Sequence, residues 1–267
     1  MVKKIGPLEF IRSIGRILAA KPQVPPSLKD NELLDIILRR RSVRRFADRE
    51  IPDDVFAAIL EAGRLAPSTV NLQTWAFATF GAESWRLLFG QSIPFKGERA
   101  VIVMGDTHWN QAIAEVFPES PLLEYTIGVT NASLAAMNMT IAAEALGVSS
   151  VMLSETGRTG ILDAGYLKEK LDLPDGVVPL MTIVFGYARG AYPPMPPRLP
   201  LEQVFFEGKY REVDKRVADD WLSQMVAGYK AQYPMSSFEK QLRLYESKIG
   251  QAEADLRSMV YYRSGLP

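Results

Sequence analysis

RRRSVRRF, residues 39–46, sets five arginines into eight positions of a chain whose 31 basic residues are matched by 31 acidic ones. So much positive charge around a single serine has two readings. One is a solvated basic surface, the commoner fate of a charge run. The other is a seat for an anion. Arginine forks match phosphate oxygens two at a time, and Ser42 adds a hydroxyl that both donates and accepts. Immediately upstream, DNELLDIILRR places Leu33, Leu34, Ile37 and Leu38 on one helical face, with Asp30 as the expected N-cap. The spacing predicts a helix that ends near Arg40 and delivers RRSVRR into a turn.

Composition narrows what such a turn could serve. A chain of 267 residues with 47% hydrophobic and 23% charged residues falls in the ordinary globular range, as one large domain or two small ones. Zero net charge disfavours a broad nucleic-acid or membrane surface. The absence of cysteine excludes disulfides, thiolate metal sites and a cysteine nucleophile. A single histidine, His108, excludes a histidine-rich metal centre and leaves one candidate for any Ser–His–Asp triad. The longest apolar run, 132–148, is interrupted by Asn138, Thr140 and Glu144, so no membrane span is expected. Arg12 and Arg16 break the N-terminal apolar stretch, which argues against a secretory leader and for a cytoplasmic protein. Leu8, Ile11, Ile14 and Leu18 recur at helical spacing. They suit either a membrane-surface or transit helix, or one packed on the protein's own body.

Outward from the arginine run, KPQVPPS (21–27) reads as a proline-rich linker. A helix is expected after Pro52, with Asp53 and Asp54 in its first turn, Val55, Phe56, Ile59 and Leu60 as its apolar stripe, and Pro67 marking its end. Strands are expected at 74–80, 99–105, 150–154 and 177–186, with short helices near 83–89 and 160–171. Residues 106–127 read as irregular, followed by a long small-residue helix from Val129 to Leu146 that stops at Gly147. Residues 188–200 form a proline-rich extended crossing. In the tail, Val217, Trp221, Leu222, Met225, Val226 and Tyr229 share a helical face. Beyond them Phe238, Leu242, Tyr245, Ile249, Ala252, Leu256 and Met259 follow heptad spacing. That helix could grip a partner subunit or pack on its own domain. The mixed order of strands and helices favours an α+β or mixed three-layer fold. No GxGxxG or P-loop follows a strand, so an anion here is not held by a glycine turn of those kinds.

A second polar segment, LAPSTVNLQTW (65–75), sets Ser68, Thr69, Asn71 and Gln73 between a helix stop and an apolar strand. It could be no more than a pair of Asx and Ser turns. It could also supply donors and acceptors to a flat heteroaromatic ligand.

Together the two segments resemble the nitroreductase family of FMN-dependent oxidoreductases. The opening element Arg-x-Ser-x-Arg/Lys-x-Phe is present as Arg40, Ser42, Arg44 and Phe46. The element Ala-Pro-Ser-x-x-Asn-x-Gln-Pro-Trp is present as Ala66, Pro67, Ser68, Asn71, Gln73 and Trp75, with Thr74 where the family usually has proline. ALGVSSVMLSETG (145–157), LDLPDGVVPLMTIVFGYA (171–188) and PPRLPLEQV (196–204) are similar to three later family elements, in the family's order. The resemblance covers about 33–206. It implies a three-layer α-β-α fold with a mainly antiparallel central sheet, and a homodimer with FMN at the interface. The chain is accordingly expected to divide into an N-terminal helical extension and linker (1–26), an FMN-binding domain (27–210) and a C-terminal helical extension (211–267) that either wraps a partner subunit or packs on its own domain, both extensions lying outside the resemblance.

The resemblance also assigns the site. Arg40, Arg41 and Ser42 meet the FMN phosphate, joined by Arg198. Pro67, Ser68, Thr69 and Asn71 come from the partner chain and line the ring. Leu153, Ser154 and Glu155 lie along its other edge, although Glu155-Thr156-Gly157 stands where the family often has a glycine. Arg44 sets a fixed cation where reduced flavin gathers negative charge, and on the residues' own reading Arg39 or Arg45 is left to solvent. NADH or NADPH reduces the flavin and a nitroaromatic, quinone or similar acceptor reoxidises it, in ping-pong order. His108, Trp109, Phe117 and Tyr125 are candidates to cover the acceptor pocket, or are ordinary core and loop aromatics. Within the same fold, a dehalogenase-like, flavin-consuming or sensory role is the alternative.

Overall fold

A computed structural model describes residues 5–110, 120–153 and 163–262. In chain order the principal helices are α1 (Pro7–Ala19), α2 (Glu32–Arg39), α3 (Asp53–Arg64), α4 (Ala82–Phe89), α5 (Pro121–Ala145), α6 (Ala164–Lys170), α7 (Lys215–Gln232) and α8 (Phe238–Val260). The strands are β1 (Trp75–Gly81), β2 (Arg99–Asp106), β3 (Ser149–Leu153) and β4 (Val177–Gly186). The chain divides into two compact units: Met1–Pro25 with Pro193–Ser247, and Pro26–Tyr192 with Lys248–Pro267.

The larger unit is an α+β arrangement on a four-stranded sheet of order β1-β2-β4-β3, every neighbouring pair antiparallel. The central strands are apolar runs buried on both faces, the signature of a sheet covered on two sides. Val101 and Val103 of β2 join Phe56, Ile59, Ala132, Ala135, Ala136 and Met139, so α3 and α5 cover one face. Ala100, Ile102 and Met104 join Trp85, Phe89 and Leu167, so α4 and α6 cover the other. The β2–β4 register shifts between Val103 and Met104, pairing Val103 with Met181 and Met104 with Pro179. A bulge there accommodates a proline that has no N–H to offer the ladder.

Two helix starts differ from expectation. The side chain of Asn31, not Asp30, caps α2 by accepting from the Leu34 amide at 2.9 Å. The long helix begins at Pro121 rather than Val129. Pro121 sits at its first position, where a missing N–H costs nothing and a fixed φ favours the helix. The expected irregular stretch is therefore partly helical, and 111–119 lies outside the described residues. At the other end Gly147 adopts φ +74°, the left-handed stop expected of it.

The last helix is used unevenly. Ala252 and Met259 are buried in the larger unit and Leu256 packs beside them, whereas Leu242, Tyr245 and Ile249 stay exposed. In the smaller unit α1 lies against α7, with Ile17 beside Gly228, the Ser223 hydroxyl donating to Glu9 Oε1 at 2.7 Å and an Arg16–Asp220 ion pair. The buried face of α1 is thus Ser13 and Ile17, not the expected stripe, whose Leu8, Ile11 and Leu18 are exposed. Among the described residues no helix is long and apolar enough to cross a membrane.

Candidate functional site

Helix α2 ends at Arg39, and the chain turns through the arginine run. Arg41 folds its guanidinium back, donating to the carbonyls of Leu38 at 2.7 Å and Arg40 at 2.8 Å. A cation on these carbonyls completes the helix terminus and opposes its partial negative charge. Ser42 then pairs in parallel with Ser150 of β3, and the Val43 amide donates to the Ser150 carbonyl at 3.0 Å. Buried Val43 and Phe46 anchor the segment, and the Ala47 amide reaches the Tyr187 carbonyl at 2.8 Å. Arg44 and Arg45 point outward from this extended stretch. Arg44 donates to the Ser42 carbonyl at 3.4 Å, with its guanidinium 6.0 Å from the Phe95 ring.

Beneath the run lies a carboxylate that local pattern did not single out. Glu144, near the end of α5, is 3% exposed. Arg39 approaches it at 3.5 Å and also reaches Asp35 at 3.4 Å, so Arg39 is paired rather than merely solvated. The Tyr192 hydroxyl donates to Glu144 Oε2 at 3.3 Å and lies 2.8 Å from the Ser149 hydroxyl. Burial pushes the Glu144 carboxyl above its ordinary value; the Tyr192 hydrogen bond and the charges of Arg39, Arg40 and Arg41 oppose that shift. Burial likewise raises the Tyr192 phenol. Arg39, Arg40 and Arg41 thus gather their charge around one buried carboxyl at the turn, with Asp35 as a second partner of Arg39.

The second segment forms a separate loop between α3 and β1. Pro67, Thr69 and Asn71 are exposed and Ser68 is half-buried. Val70, Asn71 and Gln73 all have positive φ, at 49°, 56° and 50°. The Ser68 hydroxyl accepts from the Gln73 amide at 3.0 Å, a local turn of the expected kind. Sequence reading missed the long-range support. Asn131 of α5 accepts from the Thr69 amide at 3.1 Å, and Asn110 donates to the Leu72 carbonyl at 3.3 Å.

The sheet register separates these two segments. Ser42 lies beside edge strand β3, where Ser150 pairs with Phe185, which pairs with Arg99, which pairs with Gly81 at the end of β1. The polar loop leads into Trp75, at the start of β1 on the opposite edge. Ser42 and Trp75, where the polar loop enters the sheet, therefore stand at diagonal corners, about 25 Å apart by strand spacing and rise.

The remaining expected residues are scattered. Half-buried Leu153 ends β3, and Ser154 and Glu155 lie outside the described residues. Exposed Arg198 belongs to an extended stretch of the smaller unit. His108 sets Nδ1 2.8 Å from the Asp175 carbonyl, and its amide donates to Asp106 at 3.0 Å. Burial raises the Asp106 carboxyl. Tyr125 packs against the core, Trp109 is partly exposed, and Phe117 is not among the described residues.

Residues 37–187, more than half the chain, match the family described as Nitroreductase. The chain belongs to the nitroreductase family. An Archaeoglobus fulgidus protein named NADH dehydrogenase/NAD(P)H nitroreductase is 32% identical over 164 residues, 59% of this chain and 86% of that protein. FMN reductase (NADPH) of Bacillus subtilis is 28% identical over 191 residues, 67% of this chain and 75% of that protein. The solved structure of B. megaterium NfrA2 shares the fold, with a TM-score of 0.72 at 21% identity over 87% of this chain and 97% of its own. The nitroreductase match begins within α2 and ends at Tyr187, so it contains both polar segments and all four strands.

Proposed function

We propose that this nitroreductase-family chain works as a homodimer that holds FMN and passes electrons from NADH or NADPH to a small organic acceptor, such as a nitroaromatic or a quinone. The observation that carries the reading is the diagonal separation of the arginine turn from the polar loop. One chain cannot close both on one flavin, whereas a twofold-related copy supplies the missing half to each. The donor set fits the cofactor: guanidinium forks and a hydroxyl for the phosphate, short exposed polar side chains for the rim of the ring.

Bound flavin supplies the two-electron chemistry, taken from the nicotinamide and given to the acceptor in separate half-reactions. The chain's own residues do the rest. Arg40, Arg41 and Ser42 bind the phosphate and fix register. Arg44 holds a cation where the ring gathers negative charge. Pro67, Ser68, Thr69 and Asn71 of the second copy line the ring, and Leu153 borders its other edge.

The test is the absorption spectrum of the purified protein, followed by NADH and NADPH oxidation with nitroaromatic and quinone acceptors. Flavin bands, FMN released on denaturation and parallel double-reciprocal plots are expected. A colourless protein that takes up no added FMN would overturn the reading. Bound flavin that neither nicotinamide reduces would leave a binding module in place of the oxidoreductase.

A further inference from the structure

Thr74 stands where the family's motif usually has proline, and it is fully buried. Proline stiffens a loop through its own ring and offers its surroundings no side-chain hydrogen bond. Threonine offers a hydroxyl, and here that hydroxyl is engaged. Asn131, 1% exposed on α5, donates from Nδ2 to Thr74 Oγ1 at 2.8 Å. Its Oδ1 accepts from the Thr69 amide at 3.1 Å and from the Thr69 hydroxyl at 3.2 Å. The Thr74 hydroxyl in turn reaches the Ile127 carbonyl at 3.5 Å. Both ends of the Asn131 amide are thereby committed, one to each end of the loop.

The loop needs such support. Val70 and Gln73 occupy the left-handed region without being glycine or asparagine, a strain that persists where surrounding contacts over-determine it. The holding contacts come from the inside, through Asn131, Thr74 and Asn110. The outer face is open, with Val70 88% exposed. Replacing Thr74 with the usual proline would leave the Asn131 Nδ2 buried without its acceptor.

We infer that Thr74 and Asn131 are positioning residues that set the Ser68–Gln73 loop in its ring-lining conformation before the cofactor arrives, a hydrogen-bonded substitute for the usual proline. The inference rests on the flavin reading above. Neither residue touches the ring; each acts through Thr69 and the backbone beside it. A loop set in advance costs less to order on binding, so the effect belongs in cofactor affinity.

The experiment compares Thr74→Val, which keeps the shape and removes the hydroxyl, with Thr74→Ser, which keeps the hydroxyl. FMN is titrated into cofactor-stripped full-length protein by fluorescence quenching, and the melting temperature is recorded for each stripped protein. Thr74→Val is expected to bind FMN about tenfold more weakly, the factor that corresponds to about 1.4 kcal/mol for one lost hydrogen bond, and Thr74→Ser to restore it. A merely structural role would lower the melting temperature and leave the folded protein's FMN affinity unchanged; that result overturns the inference. If Thr74→Val does not fold, amide exchange in the unaltered stripped protein decides. A protected Thr69 amide supports a loop set in advance, and an unprotected one overturns it. Unaltered protein that binds no FMN overturns the flavin reading itself; FMN binding that is equally tight in Thr74→Val overturns only this inference.

Discussion

Glu144 is the one charged residue in the apolar run 132–148, and the fold turns it toward Arg39 and Tyr192. Its carboxyl is raised above the ordinary 4.5, with burial the largest cause. A raised acid stabilises the fold fully below its unfolded value and loses that contribution as pH climbs through its folded value. Glu144→Gln removes this dependence. Denaturant midpoints measured from pH 4 to pH 7 should therefore show the variant gaining on wild type as pH rises. Curves that stay parallel would mean that the arginines fully compensate the burial. The arginine run was legible as charge and Ser42 as its centre, because both lie in one short stretch. Glu144 was legible only as an interruption. Asn131 and Tyr192 were not legible, since they act on residues 62 and 48 positions away and no local period records such pairings.

Elements were most legible where pattern and burial coincide. The strand expected at 177–186 is the strand found, because its residues, apolar but for Thr182, run between a turn and a glycine. The start of α5 was misjudged because Pro121 reads as a breaker in isolation but is well suited to a first turn. The seating of that helix on the sheet depends on two glycines that no periodicity marks. A Cβ added to Gly105 of β2 would stand 3.1 Å from the Gly128 carbonyl carbon and 3.3 Å from its Cα, both backbone atoms deep in α5. A Cβ added to Gly128 would meet Gly105 Cα at 3.5 Å, an ordinary contact. The two substitutions should therefore differ in sign. Gly105→Ala is expected to cost about 1–3 kcal/mol by overpacking. Gly128→Ala is expected to gain up to about 1 kcal/mol from helix propensity. Urea unfolding of the two variants checks the contrast, and equal losses would show that the crossing has no such asymmetry.

At the scale of the whole molecule, the α+β class followed from the irregular order of strands and helices, but the strand order did not. Antiparallel neighbours β2 and β4 are separated by a long helix and a whole strand, and only the assembled sheet reveals that β1 and β3 are its edges. That order gives the dimer proposal its sharpest consequence. If each site takes its phosphate cradle from one copy and its ring-lining loop from the other, damage to the two segments should complement. An Arg40→Ala/Arg41→Ala protein and a Thr69→Ala/Asn71→Ala protein should each be nearly inactive alone. Unfolded together and refolded at equal concentration, half of the dimers would be mixed. Each mixed dimer would carry one intact site and one doubly damaged site, restoring about a quarter of wild-type NAD(P)H oxidation. Simple addition of the folded proteins, without subunit exchange, should restore nothing. If refolded mixtures stay as inactive as their components although native mass spectrometry shows mixed dimers, both segments serve a site within one chain, and the diagonal separation across the sheet has been misread.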